Sequence, residues 1–486
     1  MRQARRILGW FLLLFGACLL AAGSSWAGSV DTFGIGSRAT ALGGAYAANA
    51  EGPFAAYYNP AGLTQTERPV ASAGLMVMDP NLEAKNYSVE NSQYPDLGPK
   101  DISDESDNLY PPHLGVAMPI NNKWSVGLAA YAPFGLHLEW QNDPDKNPAS
   151  YNSYESWYER QVVTPTVAYR VNDKISLGLG VSLGKSEAGH YYNLYGLNML
   201  GRKLTAAGAP YWQNGPITGA IEGDLNDSFN YSANLGLMYR PTKNWSMGLT
   251  YRSQADADFD GDLEVKNLND QEENAINTYL NTPTAGGGAG LSNAELQDEY
   301  DVSLDSVDHP DQIQFGVRYQ IHPDFSLEGD VVWTRWSMVD DETVKIDDAD
   351  AAVKYLLGGD EIVYERDWED TRQVRIGAEW QTTDWLTLRG GYFYDPSPIP
   401  DDTFDAEWTD ADKKTYSLGA GFALTDSWTV DTVLQYTTVE QDRIVGGESK
   451  NLNDSYESEN IDNEAEVSTK ADGEIWGYGL TVSYTF

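Results

Sequence analysis

Residues 476–486 read WGYGLTVSYTF and place a large apolar side chain at every second position. The positions between them carry only Gly, Thr and Ser. Successive side chains of a β-strand point to opposite faces, so this stretch predicts a strand with one apolar face and one small, polar face. A strand of an outer-membrane barrel needs this division, because lipid lies outside the barrel and a polar lumen lies inside.

The same alternation recurs along the chain, for example from Ile313 to Ile321 and from Tyr416 to Leu424. It predicts fourteen strands, an even number as in bacterial single-chain barrels. They lie near residues 68–79, 112–120, 123–135, 159–170, 174–185, 228–240, 244–255, 310–321, 324–336, 371–381, 384–394, 414–424, 427–438 and 474–486. The predicted fold is an all-β, 14-stranded antiparallel transmembrane β-barrel formed by residues 68–486.

The connections between the predicted strands alternate strictly between short and long. Barrels of this kind have short periplasmic turns and long extracellular loops, whereas a soluble β-sandwich has no reason for the alternation. An aromatic residue also follows five of the short turns, where we expect a belt at the inner membrane interface. These residues are Trp124, Trp245, Phe325, Trp385 and Trp428.

The charge of the chain is very acidic, with 73 acidic and 32 basic residues and a formal net charge of −41. This balance argues against nucleic acid as a partner. Many acids fall in the predicted outer loops 337–370 and 439–473. The loops either form a solvated acidic surface or bind divalent ions that bridge to lipopolysaccharide. Their spacings match no known calcium loop, and we predict no metal site and no cofactor.

The N-terminus has the features of a secretory signal peptide. Three arginines among the first six residues precede an apolar run over residues 7–22, and small residues at positions 25 and 27 suit a cleavage site. We therefore predict a signal peptide over residues 1–27. A membrane-anchoring helix is the alternative, but the run is shorter than the ~20 residues that a span needs. The only cysteine, Cys18, lies in this segment, so disulfides do not hold the mature fold.

Residues 28–66 carry only three charged side chains, those of Asp31, Arg38 and Glu51, and are rich in Gly and Ala. A fourteen-stranded barrel is too wide for its own side chains to fill, so its lumen holds either water or a plug. A segment of low charge suits packing inside the lumen. We predict that residues 28–67 form an N-terminal hatch there.

Two stretches of this segment, GIGSRATALGGAYAA (34–48) and YYNPAGL (57–63), resemble the hatch of the FadL/TodX family of outer-membrane transport proteins. The family's hatch carries an Asn-Pro-Ala motif just before the first strand, which matches Asn59, Pro60 and Ala61. Residues 111–136, PPHLGVAMPINNKWSVGLAAYAPFGL, resemble the second and third strands of the family. The resemblance implies passive uptake of hydrophobic molecules, either long-chain fatty acids or aromatic or alkane hydrocarbons.

The resemblance also implies an inward kink in the third strand that opens a gap in the barrel wall. Here it falls on Pro133, Phe134 and Gly135. Pro removes a ladder hydrogen bond and Gly weakens a strand, which fits a kink. The alternative is that Pro133 merely ends the strand at the outer rim.

Family members capture their ligand in an apolar groove between the third and fourth outer loops. The residues here that would form it are Tyr191, Leu194, Tyr195, Leu197, Leu200, Ile276, Tyr279 and Leu280. Arg202 and Lys203 are candidate cations for a carboxylate ligand. The alternative is that these apolar side chains only pack the two loops on each other.

Lumen-facing arginines are further candidates for contact with the hatch or with the ligand, but pairing with acids is their more common role in barrels. The arginines are Arg170, Arg240, Arg318, Arg375 and Arg389, and the expected acids are Glu328, Asp330, Glu379 and Asp431.

A water-filled general porin is the main alternative function. A hydrolase is disfavoured, because none of the five histidines has an evident nucleophile beside it. We expect a monomeric, non-enzymatic protein of the Gram-negative outer membrane. Its expected partners are a hydrophobic small molecule, membrane lipid and lipopolysaccharide.

Overall fold

The structure is a computed structural model that describes residues 34–91, 97–305, 308–439, 444–457 and 464–486. The predicted signal peptide (1–27) and residues 28–33 of the predicted hatch lie outside these ranges. Within these ranges, no helix is both long and apolar enough to cross a membrane.

Fourteen antiparallel strands form a closed barrel, which confirms the predicted fold. Each strand pairs with the next, and the first pairs with the fourteenth over a ladder from Val70–Thr485 to Asn91–Ala465. The strands are Val70–Asn91, Pro112–Pro119, Trp124–Glu139, Glu155–Arg170, Ile175–Asn193, Ala220–Tyr239, Trp245–Arg252, Gln312–His322, Phe325–Thr334, Thr371–Gln381, Leu386–Asp395, Lys413–Ala423, Trp428–Val439 and Ala465–Thr485.

Several strands extend further outward than their sequence pattern predicts. The first continues to Asn91 and the sixth begins at Ala220, although the alternation suggested 79 and 228 as their limits. On the sixth strand the outward positions change from apolar residues to Asp224 and Asn226, both exposed. The strand continues beyond the lipid, where its outer face need not be apolar, so the apolar period stops before the strand does.

Outward-facing aromatic rings near the short turns lie in close pairs between neighbouring strands. Trp245 lies 4.5 Å from Tyr319 between ring centroids, and Trp428 lies 4.8 Å from Tyr484. An amphipathic ring is stable at the membrane interface, so these pairs mark the periplasmic edge of the apolar band.

Shorter elements build the outer loops. Loop strands continue the wall above the barrel, where Phe259–Lys266 pairs with the sixth barrel strand and then with Glu299–Asp305. The remaining loop strands are Leu97–Ser103, Asp341–Ile346, Glu361–Glu365 and Ile444–Gly446, and the loop helices are Tyr195–Ala206, Asp270–Asn281, Ala351–Leu357 and Lys450–Asp454. The barrel thus carries a structured outer part rather than open loops.

Residues 34–66, called the lumen segment below, lie inside the barrel against strands on all sides. The segment contains short helices at Ser37–Ala41 and Ala55–Tyr58 and a 3-10 helix at Pro60–Gln65. Wall glycines allow its backbone to come close. A Cβ added at Gly248 would lie 2.0 Å from the Ala47 oxygen, and one at Gly178 would lie 2.2 Å from the Ala61 nitrogen.

Candidate functional site

The Asn-Pro-Ala motif holds the lumen segment to itself and to the wall. The Asn59 side chain is fully buried, and its Oδ1 accepts a hydrogen bond from the Ala61 N–H at 3.1 Å, which caps the 3-10 helix. Its Nδ2 donates to the Ala47 oxygen at 2.8 Å and to the Leu237 oxygen of the sixth strand at 3.1 Å. One amide therefore joins three parts of the chain.

Wall carboxylates bind the backbone of the lumen segment. Glu328 Oε1 accepts from the Ala48 N–H at 2.7 Å, and Asp330 Oδ2 accepts from the N–H groups of Tyr46 and Ala47 at 3.2 and 3.0 Å. Glu328 and Asp330 thus accept hydrogen bonds from the backbone of the lumen segment. The sequence had instead suggested that these two acids pair mainly with arginines.

The third barrel strand loses one of its neighbours at the predicted kink. Its ladder with the second strand ends at Ala130, opposite Leu114, whereas its ladder with the fourth strand continues to Glu139. The register with the fourth strand shifts between Tyr131 and Phe134, so a bulge falls on Ala132 and Pro133.

The bulge turns Phe134 into the lumen. Its ring is buried and stacks on His309 with 5.1 Å between the ring centroids. The Tyr131 ring, on the other side of the bulge, lies 5.5 Å from Tyr57 of the lumen segment. Side chains three positions apart therefore share one face, which a regular strand does not allow.

The third and fourth outer loops pack on each other through two helices. Leu197 and Leu200 of helix Tyr195–Ala206 lie in one apolar cluster with Ile276, Tyr279 and Leu280 of helix Asp270–Asn281. Ile276 and Leu280 are fully buried there. The loop packing considered from the sequence is therefore present.

A cavity of about 620 Å³ remains beside this packing. Of the residues proposed from the sequence, five line it: Leu194, Tyr195, Leu197, Leu200 and Tyr279. Ile276 and Leu280 lie behind the cavity in the cluster. The structure thus brings most of the proposed groove residues to one concave surface.

Tyr191 and Arg202, also proposed from the sequence, do not line this cavity. The Tyr191 hydroxyl donates to the Asp224 carboxylate, at 3.2 and 3.0 Å from its two oxygens. Arg202 is exposed and its Nε donates to Asn198 Oδ1 at 2.9 Å. Lys203, the next residue, lines the cavity instead.

Comparison with known proteins decides the family of this barrel. Residues 18–486 match the family model described as outer membrane protein transport protein (OMPP1/FadL/TodX). The chain belongs to this family. It is therefore an outer-membrane transport protein, and the family consists of transport proteins rather than enzymes.

Individual relatives of this FadL/TodX-family protein are distant but cover most of its length. It is 25% identical over 438 residues to the long-chain fatty acid transport protein of Escherichia coli O6:H1, covering 88% of this chain and 87% of that protein. It is 25% identical over 499 residues to outer membrane protein P1 of Haemophilus influenzae, covering 98% of each.

Solved structures share the fold of this FadL/TodX-family protein. A Pseudomonas aeruginosa FadL homologue gives a TM-score of 0.72 at 19% identity and covers 96% of this chain and 100% of its own. The Pseudomonas putida toluene transporter TodX gives 0.63 at 16% identity and covers 95% and 100%.

The fifth outer loop contributes cavity residues that were not proposed from the sequence. They are Tyr355, Leu356, Leu357, Ile362, Val363 and Tyr364. The sequence did carry a signal for Tyr355, Leu356 and Leu357, because AAVKYLL at 351–357 is an apolar run in a loop that is otherwise acidic. A run of this kind predicts a helix with a buried face.

Two buried arginines face the lumen above the lumen segment of this FadL/TodX-family protein. Arg160 donates to the side chains of Asn230 and Ser232, and Arg252 lies over the Tyr57 ring at 4.4 Å. Neither forms an ion pair within the part of the chain that the structure describes, and Arg252 Nη2 has no hydrogen-bond partner there. Arg252 therefore retains a donor for an anion, whereas all three nitrogens of Arg160 already donate hydrogen bonds and Arg160 offers mainly its charge.

Proposed function

We propose that this protein lets hydrophobic molecules, long-chain fatty acids or aromatic or alkane hydrocarbons, diffuse across the outer membrane without an energy source. The observation that carries the proposal is the outer cavity, because its volume falls in the usual range of small-molecule sites, about 300–1,000 Å³. Its lining combines leucine and tyrosine side chains from the second to the fifth outer loops with polar residues such as Asn152, Lys203 and Glu457. Such a lining removes an apolar molecule from water, which a water-filled channel does not do.

The family supports the same class of cargo. One relative of similar length is a long-chain fatty acid transport protein, and proteins of the same fold are toluene transporters. These names belong to the relatives, and they extend to this chain as part of the proposal.

The lumen segment acts as a hatch in this proposal. It packs against the wall through buried backbone contacts, so cargo that reaches it is turned toward the third strand. There Pro133, Phe134 and Gly135 mark a wall opening, because the ladder to the second strand stops at Ala130. Cargo then leaves sideways into the lipid.

A cargo with a carboxylate gains from Arg160 and Arg252. Their guanidinium groups are desolvated, and a charge-assisted hydrogen bond is strong in such surroundings. Hydrocarbons lack this gain and rely on apolar contacts alone.

The general porin is the competing function, and it needs a lumen open to water. In this barrel, aromatic side chains of the outer loops fill the upper lumen, among them Trp336, Trp368 and Trp408. The lumen segment fills the lower part. This filling favours the hydrophobic cargo.

Two measurements test the proposal. Cells that lack other transporters of this family and express this protein should take up radiolabelled oleate or toluene faster than cells with an empty vector. Liposomes that contain the purified protein should not swell in arabinose, whereas liposomes with a variant lacking residues 34–60 should swell. Rapid sugar swelling with the intact protein, without any hydrocarbon or fatty acid uptake, would establish the porin instead.

We also propose that the protein works as a monomer, because one chain supplies the cavity, the hatch and the wall opening.

The acidic outer wall of the barrel meets lipopolysaccharide in this proposal. Cross-strand neighbours such as Asp224, Asp262 and Asp301 place carboxylates side by side on this wall. Divalent cations would relieve the repulsion between these carboxylates. Light scattering in detergent tests the monomeric state. Lipopolysaccharide binding in the presence of chelator tests the role of the cations.

A further inference from the structure

A second, smaller cavity lies inward of the outer cavity. Its volume is about 40 Å³, and apolar and aromatic side chains dominate its lining, among them Trp157, Tyr158, Leu225, Leu263 and Trp408. Three residues line both cavities, and these are Tyr192, Ile362 and Tyr364. The two cavities therefore adjoin at these three side chains.

The three residues come from one barrel strand and one outer loop. Tyr192 lies at the outer end of the fifth barrel strand, and Ile362 and Tyr364 lie on loop strand Glu361–Glu365. His190 contacts both tyrosines, with its ring centroid 5.0 Å from that of Tyr192 and 5.8 Å from that of Tyr364. The rings thus meet across the space between the fifth barrel strand and the fifth outer loop.

Side-chain contacts connect the inner cavity to the kink of the third strand. Tyr158 lines it, and the Tyr158 hydroxyl hydrogen-bonds to His309 Nδ1 at 2.9 Å. The His309 ring stacks in turn on Phe134. The rings of Tyr158 and His309 therefore lie between the inner cavity and Phe134 of the wall opening.

We propose that Tyr192, Ile362 and Tyr364 form the constriction that sets the cross-section of the molecules this protein transports. This inference rests on the proposed function and adds the residues that select the cargo by width. A slender chain passes after small rotations of the two tyrosine rings. A wide, fused-ring cargo requires the rings to leave their packed positions, and close-packed side chains resist such displacement.

Tyr355 provides a matched control for this constriction. Like Tyr364, it is a tyrosine of the fifth outer loop. It lines the outer cavity but does not line the inner cavity. Truncation of Tyr355 therefore changes capture without widening the constriction.

The experiment compares two cargoes with the same carboxylate and chain length, stearic acid and 12-(9-anthroyloxy)stearic acid. Uptake of both is measured in cells that express the wild-type protein, Tyr364→Ala or Tyr355→Ala, with a heat-shift gel to show that each barrel is folded. We expect Tyr364→Ala to raise the uptake ratio of the wide to the slender acid by about tenfold, since small changes in pocket fit commonly alter selectivity by 10- to 200-fold. Tyr355→Ala should change uptake of both acids by the same factor.

Ile362→Phe adds the opposite change, because a larger side chain narrows the constriction. It should lower uptake of the wide acid more than that of the slender one. Equal ratios in the wild type and in the Tyr364 and Ile362 variants would overturn the constriction. Absence of uptake of both acids and of toluene by the wild type would instead refute the proposed function, so the two failures are distinguishable.

Discussion

Arg38 of the lumen segment and Glu379 of the tenth barrel strand form a two-point ion pair. Arg38 Nε lies 3.1 Å from Glu379 Oε2, and Arg38 Nη2 lies 3.2 Å from Oε1. Arg389 also donates to Glu379 at 2.8 Å and to Asp431 at 2.6 Å. The only arginine of the segment is thus tied into a charge network on the wall, which fixes the segment at its N-terminal end.

Arg38→Gln should loosen the lumen segment without unfolding the barrel. The change removes hydrogen bonds to a carboxylate, each worth about 1.5–3 kcal/mol. Hydrogen exchange of residues 34–66 in detergent should become faster, and ion conductance in planar bilayers should rise. The control is Lys354→Gln, which breaks an exposed pair with Asp360 on the outer surface. Unchanged exchange in the Arg38 variant would show that the pair does not hold the segment.

The barrel itself was predictable because its signal is local. Lipid on one side and lumen on the other impose a period of two on every spanning strand, as in Val374 to Gln381. The loop strands that the structure describes lack an apolar outward face. In Phe259–Lys266 the exposed face is acidic, and nothing in the sequence fixes its pairing with the distant strand Glu299–Asp305.

The candidate site was predictable only in part. Apolar residues in the third and fourth loops, such as Leu197 and Tyr279, indicated a groove, and both line the outer cavity. The sequence could not show which cation lies nearby, because Arg202 and Lys203 are adjacent on one helix and only the helix rotation separates them. Nor could it place Tyr364 opposite Tyr192, which depends on long-range packing.

The bulge in the third strand gives a second prediction. In Pro133→Val/Gly135→Val both residues favour a regular strand, so the register shift between Tyr131 and Phe134 should be reduced. If cargo leaves through this opening, fatty acid uptake should fall several-fold while ligand binding to the purified protein persists. Ala130→Val, within the paired part of the strand, serves as control. Full uptake in the folded double variant would exclude lateral release at this position.

A buried ion cluster predicts a pH dependence of the outer loops. Arg366 is buried and contacts the carboxylates of Glu342, Asp405 and Glu407. Burial raises the pKa of Glu342 to about 7, although Arg366 opposes the shift. Burial also raises the pKa of Glu407 to about 7, and the neighbouring Asp405 charge adds to this.

A carboxyl group whose pKa is higher in the folded state binds more protons when folded than when unfolded. The folded state therefore loses stability as the pH rises from the unfolded pKa, near 4.5, to about 7. We expect residues 403–408 to exchange their amide hydrogens more readily at pH 8 than at pH 5, after correction for intrinsic rates. The double variant Glu342→Gln/Glu407→Gln should lose this difference. A pH dependence that persists in the variant would place its origin elsewhere.

The same cluster fixes a segment that crosses the barrel mouth. Thr403–Trp408 belongs to the sixth outer loop, yet it contacts the opposite wall. The Ala406 N–H donates to Asn152 Oδ1 at 2.6 Å, and Ser156 Oγ donates to the Glu407 oxygen at 2.8 Å. Trp408 forms part of the lining of the inner cavity.

Because Trp408 lines the inner cavity, we predict that cargo displaces this segment on its way into the lumen, and tethering the segment should then stop transport after capture. The mature chain is expected to contain no cysteine, so Asn152→Cys/Ala406→Cys introduces a single pair that can be oxidised. We expect the oxidised variant to bind fatty acid as the wild type does but to lose most of its uptake, and a reductant to restore uptake. The single variant Asn152→Cys controls for the lost Asn152 hydrogen bonds, Ala406→Cys controls for the second substitution, and mass spectrometry verifies the disulfide. Normal uptake by a fully cross-linked protein would mean that the segment is a fixed part of the wall.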